Sequence, residues 1–134
     1  MNIKNIVSRR SFIFCPGLRP DMFPKAVNSG TDIVCIELED GIAPKDKDRA
    51  LKLTLDLFTS PLDKKGAELI VRINSVRDEF GLADIEAILK TSSPPPAIML
   101  PKVKTPDEVK WVDELLSERG HDTRLHVILE TNAG

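Results

Sequence analysis

Five short apolar runs punctuate this chain, and each ends on residues able to do chemistry. The runs cover residues 11–15, 32–36, 69–73, 97–100 and 125–129. They close on Pro16-Gly17-Leu18-Arg19-Pro20, Glu37-Leu38-Glu39-Asp40, Arg72-Ile73-Asn74, Pro101-Lys102 and Glu130-Thr131. The second run is apolar almost without break up to its acidic end, as in a parallel strand covered on both faces. Helical spacing fills the intervals. A helix is expected over residues 21–29, closed by Gly30, with Pro24 predicting a kink. Residues 43–58 fit two patterns: Leu51, Leu53, Leu55 and Leu57 alternate as in a strand, while Leu51, Leu55 and Phe58 share a helical face. Length, the leading Pro44 and the scarcity of β-branched residues favour helix.

A short helix opened by Gly81 should place Leu82, Ile85, Ile88 and Leu89 on one stripe. Thr105-Pro106-Asp107-Glu108 combines a cap, a proline at the first helical position and an acid three residues after the cap. The helix it starts turns Val109, Val112 and Leu116 inward, with Trp111 and Leu115 extending the stripe, and Gly120 ends it. Strands and helices alternate with a period of about 30 residues, and reactive groups sit at strand C-termini. That arrangement predicts an α/β fold of the TIM (β/α)8-barrel type, of which this chain covers roughly the first five strands.

A complete barrel of this kind takes about 250 residues, against 134 here. Residues 1–134 are therefore expected to be the N-terminal part of a single barrel catalytic domain, incomplete at its C-terminus. The 134-residue chain on its own is expected to be inactive, with one apolar sheet edge unpaired.

A formal net charge of −2 gives no electrostatic support for a nucleic-acid partner. Arg9-Arg10 is followed by no apolar run long enough for a signal peptide or a membrane span, so no membrane partner and a cytoplasmic setting are expected. Cys15 and Cys35 both fall inside predicted strands and are expected to be buried, reduced thiols.

Side chains alternate across a strand, so Glu37 and Glu39 share one face, Arg72 and Asn74 share one face, and Ile128 and Glu130 share one face. Should these faces line a barrel, an arginine and several carboxylates converge at its mouth. Arg72 fits either a structural ion pair with Glu37 or Glu39, or the binding of a substrate carboxylate by its planar fork. Glu130 fits either a ligand to a hard cation such as magnesium, which takes one or two carboxylates and keeps waters, or a cap for a following helix. Asp40 fits either a group holding metal-bound water or a helix cap. Arg19 and Lys25 fit either a grip on phosphates or solvated charges. His121 lies in a loop and His126 deep in a strand, and neither is expected to act in catalysis. Ser-His-Asp spacing, paired CxxC motifs, glycine-rich phosphate loops and zinc patterns are absent.

Five ordered motifs go further. Residues 14–20, 36–47, 71–74, 100–103 and 129–131, that is Phe14-Cys15-Pro16-Gly17-Leu18-Arg19-Pro20, Ile36-Glu37-Leu38-Glu39-Asp40-Gly41-Ile42-Ala43-Pro44-Lys45-Asp46-Lys47, Val71-Arg72-Ile73-Asn74, Leu100-Pro101-Lys102-Val103 and Leu129-Glu130-Thr131, resemble the citrate lyase β-subunit-like family of the HpcH/HpaI aldolase superfamily. The resemblance implies a TIM barrel that uses Mg2+ to make or break a carbon–carbon bond in a 3-hydroxy-acyl-CoA thioester such as citryl-, malyl- or citramalyl-CoA. It implies Glu130 as a magnesium ligand and Arg72 as the arginine holding the keto-acid carboxylate and carbonyl oxygen. Glu39 and Asp40 would order metal-bound water, and Arg19 and Lys25 would lie near the acyl-CoA or keto-acid entrance. A homo-oligomer, trimeric or hexameric, is also implied. The second metal-ligating aspartate of the family should follow a sixth strand, beyond Gly134.

Two other readings compete. An aldolase cleaving a free 4-hydroxy-2-keto acid is expected to use a histidine near the first strand, and none occurs there. A non-catalytic scaffold component of a lyase complex would have no use for Arg72, Glu39, Asp40 and Glu130 together.

Overall fold

A computed structural model describes residues 11–59, 63 and 65–127. Five strands, β1 (Phe12–Pro16), β2 (Ile33–Glu37), β3 (Glu68–Arg72), β4 (Ala97–Leu100) and β5 (Arg124–Val127), alternate with four helices, α1 (Phe23–Asn28), α2 (Lys47–Leu57), α3 (Glu79–Lys90) and α4 (Pro106–Glu118). The strands are all parallel and lie side by side in sequence order, β1-β2-β3-β4-β5. Crossovers between parallel strands are right-handed. When every crossover also steps the same way across the sheet, all helices fall on one face, as in a barrel wall rather than a doubly wound sheet.

Burial confirms this. One apolar cluster joins Cys15, Val34, Ile36, Leu38, Leu69, Val71, Ile73, Ile98 and Leu100 of the strands and their exits to Phe23, Val27, Ala50, Leu51, Ile85, Ile88, Val112 and Leu116 of the helical layer. A second, Ile33, Cys35, Ile70 and Ala97 with Met99 packed on it, consists of strand residues alone. It occupies the face turned away from the helices, which is the interior side of a barrel wall. The fold is α/β, and its five strands are five of the eight of a TIM barrel.

Several sequence expectations hold with shifted bounds, and three need correcting. Residues 43–58 are helical, entered through a 3-10 turn (Pro44–Asp46). The segment before α1 is also a 3-10 turn (Pro20–Met22), so Pro24 lies in the first turn of α1, where its missing N–H removes no helical bond and no mid-helix kink arises. α3 begins at Glu79 rather than Gly81, because the Asp78 carboxylate accepts the Gly81 N–H at 2.9 Å and caps the helix earlier. Its stripe is also rotated: Leu82 is 48% exposed, and Asp84 is buried beside Ile85 and Ile88. Trp111 of α4 is exposed rather than part of the packed stripe. No described helix is long and apolar enough to cross a membrane.

Candidate active site at the strand C-termini

The register sets the site. Glu37 at the end of β2 pairs with Arg72 at the end of β3, and Arg72 with Met99 of β4, so these side chains share the interior face. Arg72 turns its fork onto Glu37. Nε donates to Oε1 at 3.1 Å, and Nη2 bonds Oε2. Glu37 Oε1 also accepts the backbone N–H of Glu39 at 2.5 Å, which folds the chain back over the strand end. Arg72 Nε lies 3.6 Å from Glu39 Oε1, and its guanidinium carbon sits 4.8 Å from the centre of the Phe14 ring, a cation–π contact. Nη1 makes no hydrogen bond among the described residues. Both readings of Arg72 thus have a physical basis: it is an ion-pair partner of Glu37 and Glu39, and one edge of its fork stays unused.

Lys102, just beyond β4, completes the mouth. Its Nζ lies 3.1 Å from Glu39 Oε2 and 3.4 Å from Asp40 Oδ1. Glu37 and Glu39 are almost wholly buried, whereas Asp40 is exposed. Two buried carboxylates this close are tolerable only with cations bound to them, and Arg72 and Lys102 supply the charge.

A second network braces the same loop from behind. Lys47 Nζ donates to the carbonyl oxygens of Leu38 (3.2 Å) and Glu39 (2.9 Å) and to Asn74 Oδ1 (2.5 Å). Asp84 of α3 accepts the backbone N–H and the side-chain amide of Asn74, each at 2.8 Å. Burial pushes the Asp84 carboxyl up to about 6, against the hydrogen bonds from Asn74 and the charge of Lys47. Beneath the mouth, burial pushes the Cys35 thiol up to about 12 although the Arg72 charge pulls it down. Both cysteines are free and buried, as expected, and a thiol this hard to ionise is no nucleophile.

Of the residues singled out from sequence, Arg72, Glu39 and Asp40 come together. Arg19 does not join them: it pairs with exposed Asp21 at 2.9 Å, which raises its pKa through the hydrogen bond and lowers that of Asp21. Lys25 is exposed on α1 and borders a cavity of about 210 Å³ lined by Phe14, Met22 and Ala26. Glu130 lies outside the described residues. His121 points its Nε2 at the Ile88 carbonyl (3.0 Å), and His126 lies 3.6 Å from Glu68, so neither reaches the mouth. Sequence reasoning passed over Lys47, Asp84 and Lys102 as site residues.

Residues 10–134 match the family model described as HpcH/HpaI aldolase/citrate lyase. The chain belongs to this family. The L-malyl-CoA/beta-methylmalyl-CoA lyase of Rhodobacter capsulatus is 34% identical over 132 residues, which cover 93% of this chain and 41% of that protein. The mitochondrial citramalyl-CoA lyase of Homo sapiens is 30% identical over 111 residues, covering 83% of this chain and 32% of that protein. Among solved structures, the protein CitE of Mycobacterium tuberculosis, in complex with magnesium and acetoacetate, superposes with a TM-score of 0.70 at 30% identity over 94% of this chain and 47% of that one. The chain thus spans between about a third and half of the length of these family members.

Proposed function

We propose that the protein carrying this chain is a magnesium-dependent carbon–carbon lyase acting on a 3-hydroxy-acyl-CoA thioester such as citryl-, malyl- or citramalyl-CoA, with residues 1–134 as the N-terminal part of its single barrel catalytic domain. The observation that carries this reading is Arg72, held in a fork by Glu37 at the C-terminal end of a barrel-type sheet, in a family whose members include malyl- and citramalyl-CoA lyases.

The residues present explain what such a site needs. Breaking the bond between the carbinol carbon and the α-carbon of the thioester turns the alcohol oxygen into a carbonyl oxygen, passes its proton to a base and leaves the bonding pair on the thioester fragment as an enolate. A pre-oriented cation close to the reacting oxygens costs no reorganisation when that charge develops. Arg72 meets this condition because Glu37 and the Phe14 ring fix its plane, and its unused Nη1 edge suits the carboxylate of a keto acid. Glu39 and Asp40 are hard oxygen donors at the same rim and suit the ordering of water. Arg19 and Lys25 suit the phosphates of a CoA group; the exposed Arg19–Asp21 pair is weakly held in water and exchanges readily for another anion.

Magnesium takes one or two protein carboxylates and fills its remaining positions with water and substrate oxygens, and the similar CitE of Mycobacterium tuberculosis is solved with magnesium. Glu130 is the proposed protein ligand, with a second from beyond Gly134. Bound magnesium would act as a Lewis acid and template for the keto acid. Free buried thiols suit the reducing cytoplasm, and a homo-oligomer is part of the same proposal.

The test is keto-acid release from citryl-, malyl- and citramalyl-CoA by the full-length protein with magnesium, for wild type and Arg72→Lys. Lysine keeps the charge but loses the fork, so kcat/KM should fall by about 10²–10³-fold with little change in Tm. An Arg72→Lys enzyme as active as wild type would reduce Arg72 to a structural ion pair.

A further inference from the structure

The turn after β4 carries backbone strain. Lys102 has φ +53°, in the left-handed region where the Cβ of an L-residue crowds the carbonyl and where glycine or asparagine is the usual occupant. The turn is held on both sides. Pro101 and Val103 are buried. Arg77 Nη2 donates to the Lys102 carbonyl at 3.2 Å, and Arg77 Nε pairs with Glu108 of α4 at 3.0 Å. The other described non-glycine residue with positive φ, Lys65, lies in an exposed turn and pairs with exposed Asp63. Lys102 differs in what its side chain holds: the carboxylate of Glu39, only 4% exposed, at 3.1 Å, and Asp40 at 3.4 Å. Glu39 thereby stands between two cations, Arg72 from β3 and Lys102 from beyond β4. The lysine ties the exits of β2 and β4 together across β3, which separates them in the sheet. The nearby carboxylates of Glu39 and Asp40 raise the Lys102 pKa and keep the ammonium charged.

We infer that Lys102 is a positioning residue of this site: its ammonium sets the Glu39 and Asp40 carboxylates at the mouth, and the strained turn is retained for that ammonium. Strain of this kind persists where the surroundings over-determine it, and it concentrates at functional sites. The inference rests on the lyase reading of the mouth.

Three variants of the full-length enzyme separate side chain from backbone. Lys102→Gly removes both the charge and the strain, Lys102→Met removes the charge alone, and Lys102→Arg keeps the charge. Glycine should melt higher than methionine, because it adopts the positive φ freely. Glycine and methionine should nevertheless lose kcat alike, by about 10- to 100-fold with KM little changed, and arginine should recover most of the loss. Activity that tracks Tm, with the glycine variant near wild-type rate and methionine impaired, would overturn the inference, as would an arginine variant no better than methionine. Wild-type enzyme that cleaves none of the three thioesters would overturn the lyase reading and this inference with it. Wild-type turnover accompanied by an unimpaired Lys102→Gly would overturn the inference alone.

Discussion

Asp84 lies only 2% exposed on α3 and offers one carboxylate oxygen to both donors of Asn74. Desolvation outweighs those bonds and lifts its pKa from 3.8 to about 6. The fold therefore disfavours the ionised form. The contribution of this group to stability is full below about pH 4 and is lost as pH rises through 6, a span of about 3 kcal/mol. Asp84→Asn keeps an acceptor for Asn74 and cannot ionise. Melting both proteins at about pH 4.5 and pH 7 should show the variant gaining on wild type at the higher pH; a difference that stays constant or shrinks would mean the carboxyl titrates normally. Little of this residue-scale detail is legible in the sequence. Strand parity places Glu37 and Glu39 on one face of their strand, and the register then brings Arg72 of β3 against both. Lys47 reaches back to carbonyls eight and nine residues away, a contact that side-chain spacing cannot show. Asp84 did leave a trace: with Gly81, Ile85 and Ile88 it completes an i, i+3, i+4, i+7 stripe, and an acid on such a stripe is a buried acid in need of donors.

Element pairing explains why α3 starts where it does. Asp78 caps it, and the first turn then drives Gly81 against the chain leaving β3: a Cβ on Gly81 would fall 1.8 Å from the Ser75 carbonyl oxygen and 2.8 Å from that of Asn74. Those neighbours are backbone, bound into the same segment that presents Asn74, and cannot move aside as a flexible side chain would. Gly81→Ala is therefore expected to lose about 3 kcal/mol or more despite the roughly 1 kcal/mol gain in helix propensity. Denaturant unfolding measures it, and a variant as stable as wild type would show that the helix shifts to make room. The glycine is visible in the sequence, but its cause is a contact between elements, so it reads there as a helix start. The helices themselves are legible where local signals agree, as in α4, where Glu108 accepts the Thr105 N–H at 2.8 Å and Pro106 takes the first position. Residues 43–58 illustrate the other case: their leucines fit two periods, and packing of Ala50, Leu51 and Thr54 beneath the sheet decides for helix.

At the scale of the whole molecule, the sheet runs in sequence order from β1 to β5 and leaves both of these strands with one unpaired side among the described residues. Its interior face is only partly covered: Phe12 and Phe14 are 40% and 47% exposed, their rings edge to face at 4.9 Å. In a closed barrel such side chains are packed by strands from across the interior, and the edges vanish. The partial wall still has a continuous outer core, since the helical layer buries the other face of β2, β3 and β4 together with Cys15 of β1, while Leu125 of β5 is only half-buried. The 134-residue chain expressed by itself should therefore fold, giving native-like helical circular dichroism, while remaining sticky at its edges and inner face. It should bind an apolar dye and self-associate with rising concentration in sedimentation velocity. Phe14→Ser should weaken both effects and loosen the cation–π support of Arg72. The same chain should leave malyl-CoA uncleaved with magnesium present, because five strand ends gather Arg72, Glu39, Asp40 and Lys102 on one side only, and the charge that the proposed cleavage would develop needs partners around it. A dye-silent monomer would show that the inner face covers itself, and turnover would show that five strands suffice for the chemistry.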